Sequence, residues 1–143
     1  MKIGIACDHA GFDYKQGLIN YLNNKGYEVY DFGCNSKESV DYPDFAHQLC
    51  KAIENNKVQF GIQFCGSGNG INMSANKQQE IRSALCWEEE IAELARLHND
   101  ANICTLPARF ISIEKAFSII DVFLKTDFEG GRHQRRVDKI KCC

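Results

Sequence analysis

Cys65 is the residue of this chain best placed to do chemistry. Glycine follows it at every second position, Gly66, Gly68 and Gly70, within QFGIQFCGSGNGINMSANK. Spaced glycines let a backbone bend sharply and let a ligand come close to the main chain. A helix opening after such a turn aims free N–H groups and a positive dipole end back at it. The stretch reads either as an anion site with a cysteine at its lip, in a field that favours thiolate, or as a tight strand-to-helix turn around a buried cysteine. What is missing narrows the anion. A P-loop needs Gly-Lys-Ser/Thr after its glycines, and the first lysine here is Lys77. A dinucleotide fingerprint needs a third glycine where Ile71 stands. A cysteine phosphatase would place a phosphate-cradling arginine at that same position.

Other polar residues can converge on this turn. Cys7-Asp8-His9 and Arg109 follow apolar runs, as Cys65 does. If those runs are parallel strands, the three groups share one rim of a sheet, where ligands of α/β folds gather. Singly, each has a plainer reading: Asp8 as a helix N-cap, His9 as a loop residue, Tyr42 as loop packing ahead of Pro43. His98-Asn99-Asp100 ends a helical stretch, and His98 continues the Ile91, Leu94, Ala95 face, so it is expected to point inward. Near the end of the chain, Arg132, Arg135 and Arg136 open a short helix, where the dipole disfavours cations. Arg132 and Arg136 are one turn apart and share a face. The guanidinium fork matches phosphate, and a broken local rule often marks function. A solvated basic end is the alternative.

The elements that would hold these groups alternate regularly. Apolar, β-branched runs predict strands at 2–7, 27–32, 58–64, 81–86 and 103–106. Between them, 12–25 has helical periodicity with Gly26 as a stop, and Pro43 suits the first turn of a helix carrying Phe45, Ala46, Leu49 and Ile53. A helix follows the Gly66–Gly70 turn. Another begins near Glu88, and Ser112 can cap the next. A final basic helix runs from about 132 to 140, after Gly130-Gly131. Alternation of this kind predicts an α/β fold, a parallel sheet with helices on both faces. The 33–41 stretch is expected to be a polar loop.

Size and composition fit one domain over 1–143: 143 residues, 44% hydrophobic and 25% charged. A net charge of −2 gives no reason to expect nucleic acid or an anionic membrane as partner. Asp8 breaks the N-terminal apolar run before a signal sequence can form, and no stretch is long enough to span a membrane. Eight cysteines occur without a Cys-x-x-Cys pair. Cys7, Cys65, Cys86 and Cys104 fall in or just after expected strands, so reduced thiols in a cytoplasmic protein are the better reading. Cys142 and Cys143 read as a tail without function.

Taken together, these residues resemble a known family. The motifs are Cys7-Asp8-His9-Ala10-Gly11, Asp41-Tyr42-Pro43, Cys65-Gly66-Ser67-Gly68-Asn69-Gly70-Ile71, Ala75-Asn76-Lys77, His98-Asn99-Asp100-Ala101-Asn102, Arg109, and the run from Glu129 to Val137. They match the sugar-phosphate isomerase family that unites type B ribose-5-phosphate isomerases with galactose-6-phosphate isomerase subunits. The match runs through nearly the whole chain. Ser67 stands where threonine is commoner and keeps the hydroxyl; Asn69 replaces a usually apolar residue.

The resemblance implies a Rossmann-like three-layer α/β/α sandwich with a five-stranded parallel sheet and a C-terminal helix. It implies a homodimer with each active site at the subunit interface, leaving further pairing into tetramers open, and neither metal nor organic cofactor. The implied reaction interconverts ribose 5-phosphate and ribulose 5-phosphate. Carried over by motif, Cys65 is the proton-transfer base, and His98 opens the furanose with Asp8 at the ring oxygens. The amides of Gly66, Ser67, Gly68, Asn69 and Gly70 hold the enediolate oxygen. His9, Arg109, Arg132 and Arg136 bind phosphate; Tyr42, Ser67 and Asn99 position the sugar. Isomerases of six-carbon sugar phosphates, allose or galactose 6-phosphate, are the nearest alternative. A non-catalytic phosphosugar-binding module would need neither Cys65 nor His98, and a zinc-binding structural protein would need paired ligand spacing.

Overall fold

The computed structural model describes residues 1–141; Cys142 and Cys143, expected to be a tail, lie outside the described residues. Strands β1 (Lys2–Cys7), β2 (Glu28–Asp31), β3 (Phe60–Cys65), β4 (Ser83–Leu85) and β5 (Ile103–Pro107) form one parallel sheet in the order β2-β1-β3-β5-β4. Helices α1 (Phe12–Asn24), α2 (Tyr42–Glu54), α3 (Asn69–Ala75), α4 (Glu89–Asn99), α5 (Ile113–Lys125) and α6 (Arg132–Val137) alternate with the strands or follow the last one. Helices α2 and α3 pack together on one face. On the other, α5 packs against α1 and α4, and α6 lies on α4. This is the three-layer α/β/α arrangement expected.

The alternation of side chains along the strands builds two cores. Ile3, Ile5, Cys7, Ile62 and Phe64 face the α1/α4/α5 layer, with Leu18, Ile119, Ile120 and Phe123. On the other face the strands carry small residues. A Cβ at Gly4 would come within 2.4 Å of Leu49, and one at Gly61 within 2.9 Å, so α2 lies close against β1 and β3.

Two segments fall three residues short of what the sequence suggests. The fourth strand occupies only Ser83–Leu85 of the expected 81–86. It is an edge strand, and side-chain amides replace the missing neighbour at its start. Arg82 N–H donates to Asn102 (2.8 Å) and Ser83 N–H to Asn76 (2.8 Å). The last helix ends at Val137 rather than 140, because the amides of Lys139 and Ile140 turn back to carbonyls three residues earlier.

The 33–41 stretch is not simply polar. Cys34 is buried, with its sulfur 3.9 Å from that of Cys7, and Lys15 reaches in to bond the Cys34 carbonyl and pair with Asp31 at 2.8 Å. Burial, above all, pushes the Cys7 thiol well above its ordinary range. The six described cysteines are free and buried. No helix of the described residues is long and apolar enough to cross a membrane.

Candidate active site

The direction of the sheet changes between β1 and β3. From β1 the chain moves outward to β2, then crosses back to β3 on the other side. In doubly wound sheets ligands bind at the carboxyl end of such a switch point. Here that end carries Asp8-His9 after β1 and Cys65 at the end of β3, two neighbouring strands that pair Cys7 with Phe64.

Each group is held by local chemistry. Asp8 is buried, donates its N–H to the Phe64 carbonyl (3.4 Å) and accepts from Ala10 N–H at 2.9 Å, the N-cap geometry expected of it. His9 Nδ1 accepts from Val40 N–H at 3.3 Å. Neutral His9 thus carries its hydrogen on Nε2, free to donate. Cys65 is only 5% exposed. Its carbonyl accepts from Ala108 N–H (3.0 Å) and that of Gly66 from Arg109 N–H (3.0 Å), which ties the turn to the end of β5. Among the described residues the amides of Gly66, Ser67 and Gly68 have no backbone acceptor. Ser67 Oγ accepts from Asn69 N–H at 3.3 Å.

Two glycines of the turn sit directly under neighbouring side chains. A Cβ on Gly66 would meet the Arg109 guanidinium at 3.3 Å, and a Cβ on Gly70 would meet the Tyr42 ring at 2.5 Å. Arg109 and Tyr42 therefore lie directly across the Cys65 turn. Asp8, His9, Tyr42, Cys65, Gly66 to Gly70 and Arg109 form one group at the carboxyl edge.

The remaining expected residues form a second group elsewhere. Helix α4 runs back against the strands and ends at Asn99, just before β5 begins, so His98 and Asn99 lie at the amino edge of the sheet. Asp100, with φ 46°, turns the chain there. His98 does not point inward as its periodicity suggests. The buried face of α4 is Ala92, Ala95 and Arg96, and the His98 side chain is 36% exposed. It stacks on His133 of α6, centroids 4.2 Å apart and planes 12° apart. Arg132 and Arg136 of α6 are exposed beside it. Along β3, Gly61 pairs with Ile103 and Cys65 with Pro107. The four steps from Gly61 to Cys65 alone span about 13 Å, and His98 lies beyond the Gly61 end. One chain does not bring Cys65 and His98 together.

The sequence reading missed two residues of this second group. Arg96 is buried and donates to Asp100 (2.9 Å) and to the carbonyls of Ala101 (2.6 Å) and Thr126 (3.1 Å), fixing the corner next to His98. His133 is buried. Its burial and the adjacent His98 hold its imidazole below the ordinary range, with Arg132 and Arg136 adding to the effect. Glu129 Oε2 lies 3.7 Å from the Nε2 atoms of both His98 and His133. Donor atoms of these three residues fall within 4.8 Å of one another. Nearly parallel rings do not aim their lone pairs at one point, and two arginines stand beside them, so the cluster is poorly disposed to a cation.

A doubly wound sheet with a cysteine, unbonded amides and an arginine at its switch point, and a histidine–arginine patch at its other edge, has the equipment of a phosphosugar isomerase. The chain belongs to the ribose/galactose isomerase family, whose sequence model matches residues 3–140. It is 42% identical to ribose-5-phosphate isomerase B of Escherichia coli over 139 residues, covering 97% of this chain and 93% of that one. It is 46% identical to a putative sugar phosphate isomerase of Rickettsia conorii, over 98% of this chain and 97% of that one. A ribose 5-phosphate isomerase structure from Thermotoga maritima superposes with TM-score 0.96 at 52% identity, covering 98% and 97% of the two chains. The Mycoplasma genitalium ribose-5-phosphate isomerase B, solved with bound ribulose-5-phosphate, superposes with TM-score 0.92 at 43% identity, over 97% and 93%.

Proposed function

We propose that this protein interconverts D-ribose 5-phosphate and D-ribulose 5-phosphate, as a cytoplasmic homodimer serving pentose phosphate metabolism. The observation that carries the chemistry is Cys65 at the switch point, beside amides of Gly66, Ser67 and Gly68 that have no backbone acceptor. The separation of Cys65 from His98 carries the dimer. A two-fold pair that sets the carboxyl edge of one subunit against the amino edge of the other makes two complete sites, each drawing on both chains.

In such a site the phosphate is held by His9 Nε2–H and Arg109, together with Arg132 and Arg136 of the partner subunit. Guanidinium groups match phosphate oxygens bidentately. His98 of the partner subunit takes the proton of the anomeric hydroxyl, the C1–O4 bond breaks as the C1 carbonyl forms, and the same proton is returned to O4, with Asp8 beside the ring oxygens. Tyr42, Ser67 and Asn99 of the partner subunit set the open chain against Cys65. The Cys65 thiolate removes the C2 proton. The electron pair of that bond becomes the C1–C2 double bond of an enediolate, and O1 takes the charge. The amides of the 66–70 turn face that charge, where preorganised donors contribute most. The O2 hydrogen passes to O1, the Cys65 thiol returns its proton to C1, and the carbonyl is left at C2. The phosphate handle lies away from the reacting carbons, so its binding energy can be used for orientation.

A coupled assay of the purified protein against ribose, allose and galactose phosphates, with and without EDTA, tests this. Turnover is expected to be fastest with ribose 5-phosphate and indifferent to EDTA. Faster turnover of a six-carbon substrate, or activity restored only by a divalent ion, would overturn it.

A further inference from the structure

Glu129 has no part in the mechanism above, yet the structure fixes it beside the ring-opening histidine. Its N–H donates to the Leu97 carbonyl at 3.1 Å, which docks the backbone after α5 onto the last turn of α4, one residue from His98. Its Oε2 lies 3.7 Å from His98 Nε2. The His98 ring cannot swing far from this carboxylate, because it is stacked on the buried His133.

The charged groups around the ring are few. At the end of α4, Arg96 and the capping Asp100 are engaged with each other, and Asp100 also with Arg82. On α6, His133 and Arg132 are paired through Nε2 and Nε at 3.5 Å, and Arg136 is exposed. Among these groups Glu129 is the carboxylate that faces His98 Nε2.

We infer that Glu129 is a positioning residue for ring opening: its carboxylate keeps the His98 hydrogen on Nε2 and leaves Nδ1 as the basic nitrogen. The inference rests on the proposed role of His98 in opening the furanose. A carboxylate is an acceptor only, so an imidazole nitrogen facing it is favoured as N–H. The hydrogen bond of one ring nitrogen decides which nitrogen is left to act. A small rotation of the half-exposed Glu129 side chain closes 3.7 Å to a hydrogen bond. The base then acts on the anomeric hydroxyl from a fixed ring in a fixed tautomer. A similar second partner of a working histidine is worth about 10- to 100-fold in metal enzymes.

Two measurements on the full-length protein test this. Long-range proton–nitrogen spectra of histidine-labelled protein should show His98 with hydrogen on Nε2. In Glu129→Gln an amide that can donate as well as accept replaces the carboxylate, and the tautomers should mix; Glu129→Asp should preserve the Nε2–H form. Kinetically, Glu129→Gln should lower kcat for ribose 5-phosphate by about 10-fold or more, with KM nearly unchanged. Exchange of a C1 proton of ribulose 5-phosphate with solvent deuterium should persist, because that sugar needs no ring opening. An unchanged tautomer in Glu129→Gln, or equal loss of both activities, would overturn the inference. Absence of isomerase activity in the wild type would instead overturn the proposed reaction, and the tautomer measurement would still judge Glu129.

Discussion

Mixing two inactive variants should restore activity, by an amount that the geometry fixes. Cys65 and His98 are separated by the five residues of β3 from Gly61 to Cys65, a span of about 13 Å, and by the turn beyond it. No histidine side chain covers that distance, so the proposed site takes Cys65 from one subunit and His98 from the other. In the proposed homodimer, Cys65→Ser lacks the base at both sites and His98→Asn lacks the ring opener at both. In a heterodimer of the two, one site receives native Cys65 from one chain and native His98 from the other. Its second site receives both substitutions. Random re-pairing of equal amounts makes about half the dimers mixed, each with one good site of two. Activity should therefore rise from near zero to about a quarter of wild type. The assay is furanose turnover after co-expression, or after unfolding and refolding the mixture, with each variant treated alone as control. No recovery, although hybrid dimers are demonstrated by mass, would refute the shared site and return Cys65 and His98 to separate roles.

Cys65→Ser by itself should bind substrate nearly normally and lose kcat by about 10²–10⁴-fold, the range of a lost general base; wild-type kcat would move the role of base to Asp8. Gly70→Ala should raise KM while the protein stays folded, since the new Cβ meets the Tyr42 ring at 2.5 Å and that ring is exposed enough to move away. Unchanged steady-state kinetics would remove Tyr42 from the site. Burial holds the Cys7 and Cys104 thiols far above their ordinary range and pushes Cys50 up to about 12. Thiolate is the reactive form, so a thiol reagent at pH 8 should leave these three unmodified until the protein unfolds, as peptide mapping after a short pulse can check.

The carboxyl-edge group was legible because its signals are local. Glycine spacing after a β-rich run announces a turn, and alternation of strand and helix places Asp8, Cys65 and Arg109 on one rim. The amino-edge group was legible in its residues but not in its packing. The apolar periodicity of α4 puts His98 in line with Leu94. The buried face instead runs through Ala92, Ala95 and Arg96, because carbonyls of Ala101 and Thr126 are there to receive a guanidinium. One of those acceptors is 30 residues away, and nothing near Arg96 announces it. Cys34 and Lys15 were missed in the same way. Their burial depends on β1 and β2 closing over them, not on the composition of 33–41. The separation of the two groups was within reach of the sequence. In an alternating parallel fold, residues ending a helix and residues ending a strand stand at opposite edges.

The span between those edges also bears on how such a protein can diversify. When a gene of this kind duplicates, the copies can pair with each other as well as with themselves. If the site is shared as proposed, a mixed pair needs only one good site, assembled from the Cys65 edge of one copy and the His98 edge of the other. Each copy is then free to accumulate changes at the edge that it no longer contributes. Selection holds the pair active while neither product is active alone. A new substrate preference can arise from changes at either edge, and both copies become indispensable without any gain in catalytic power.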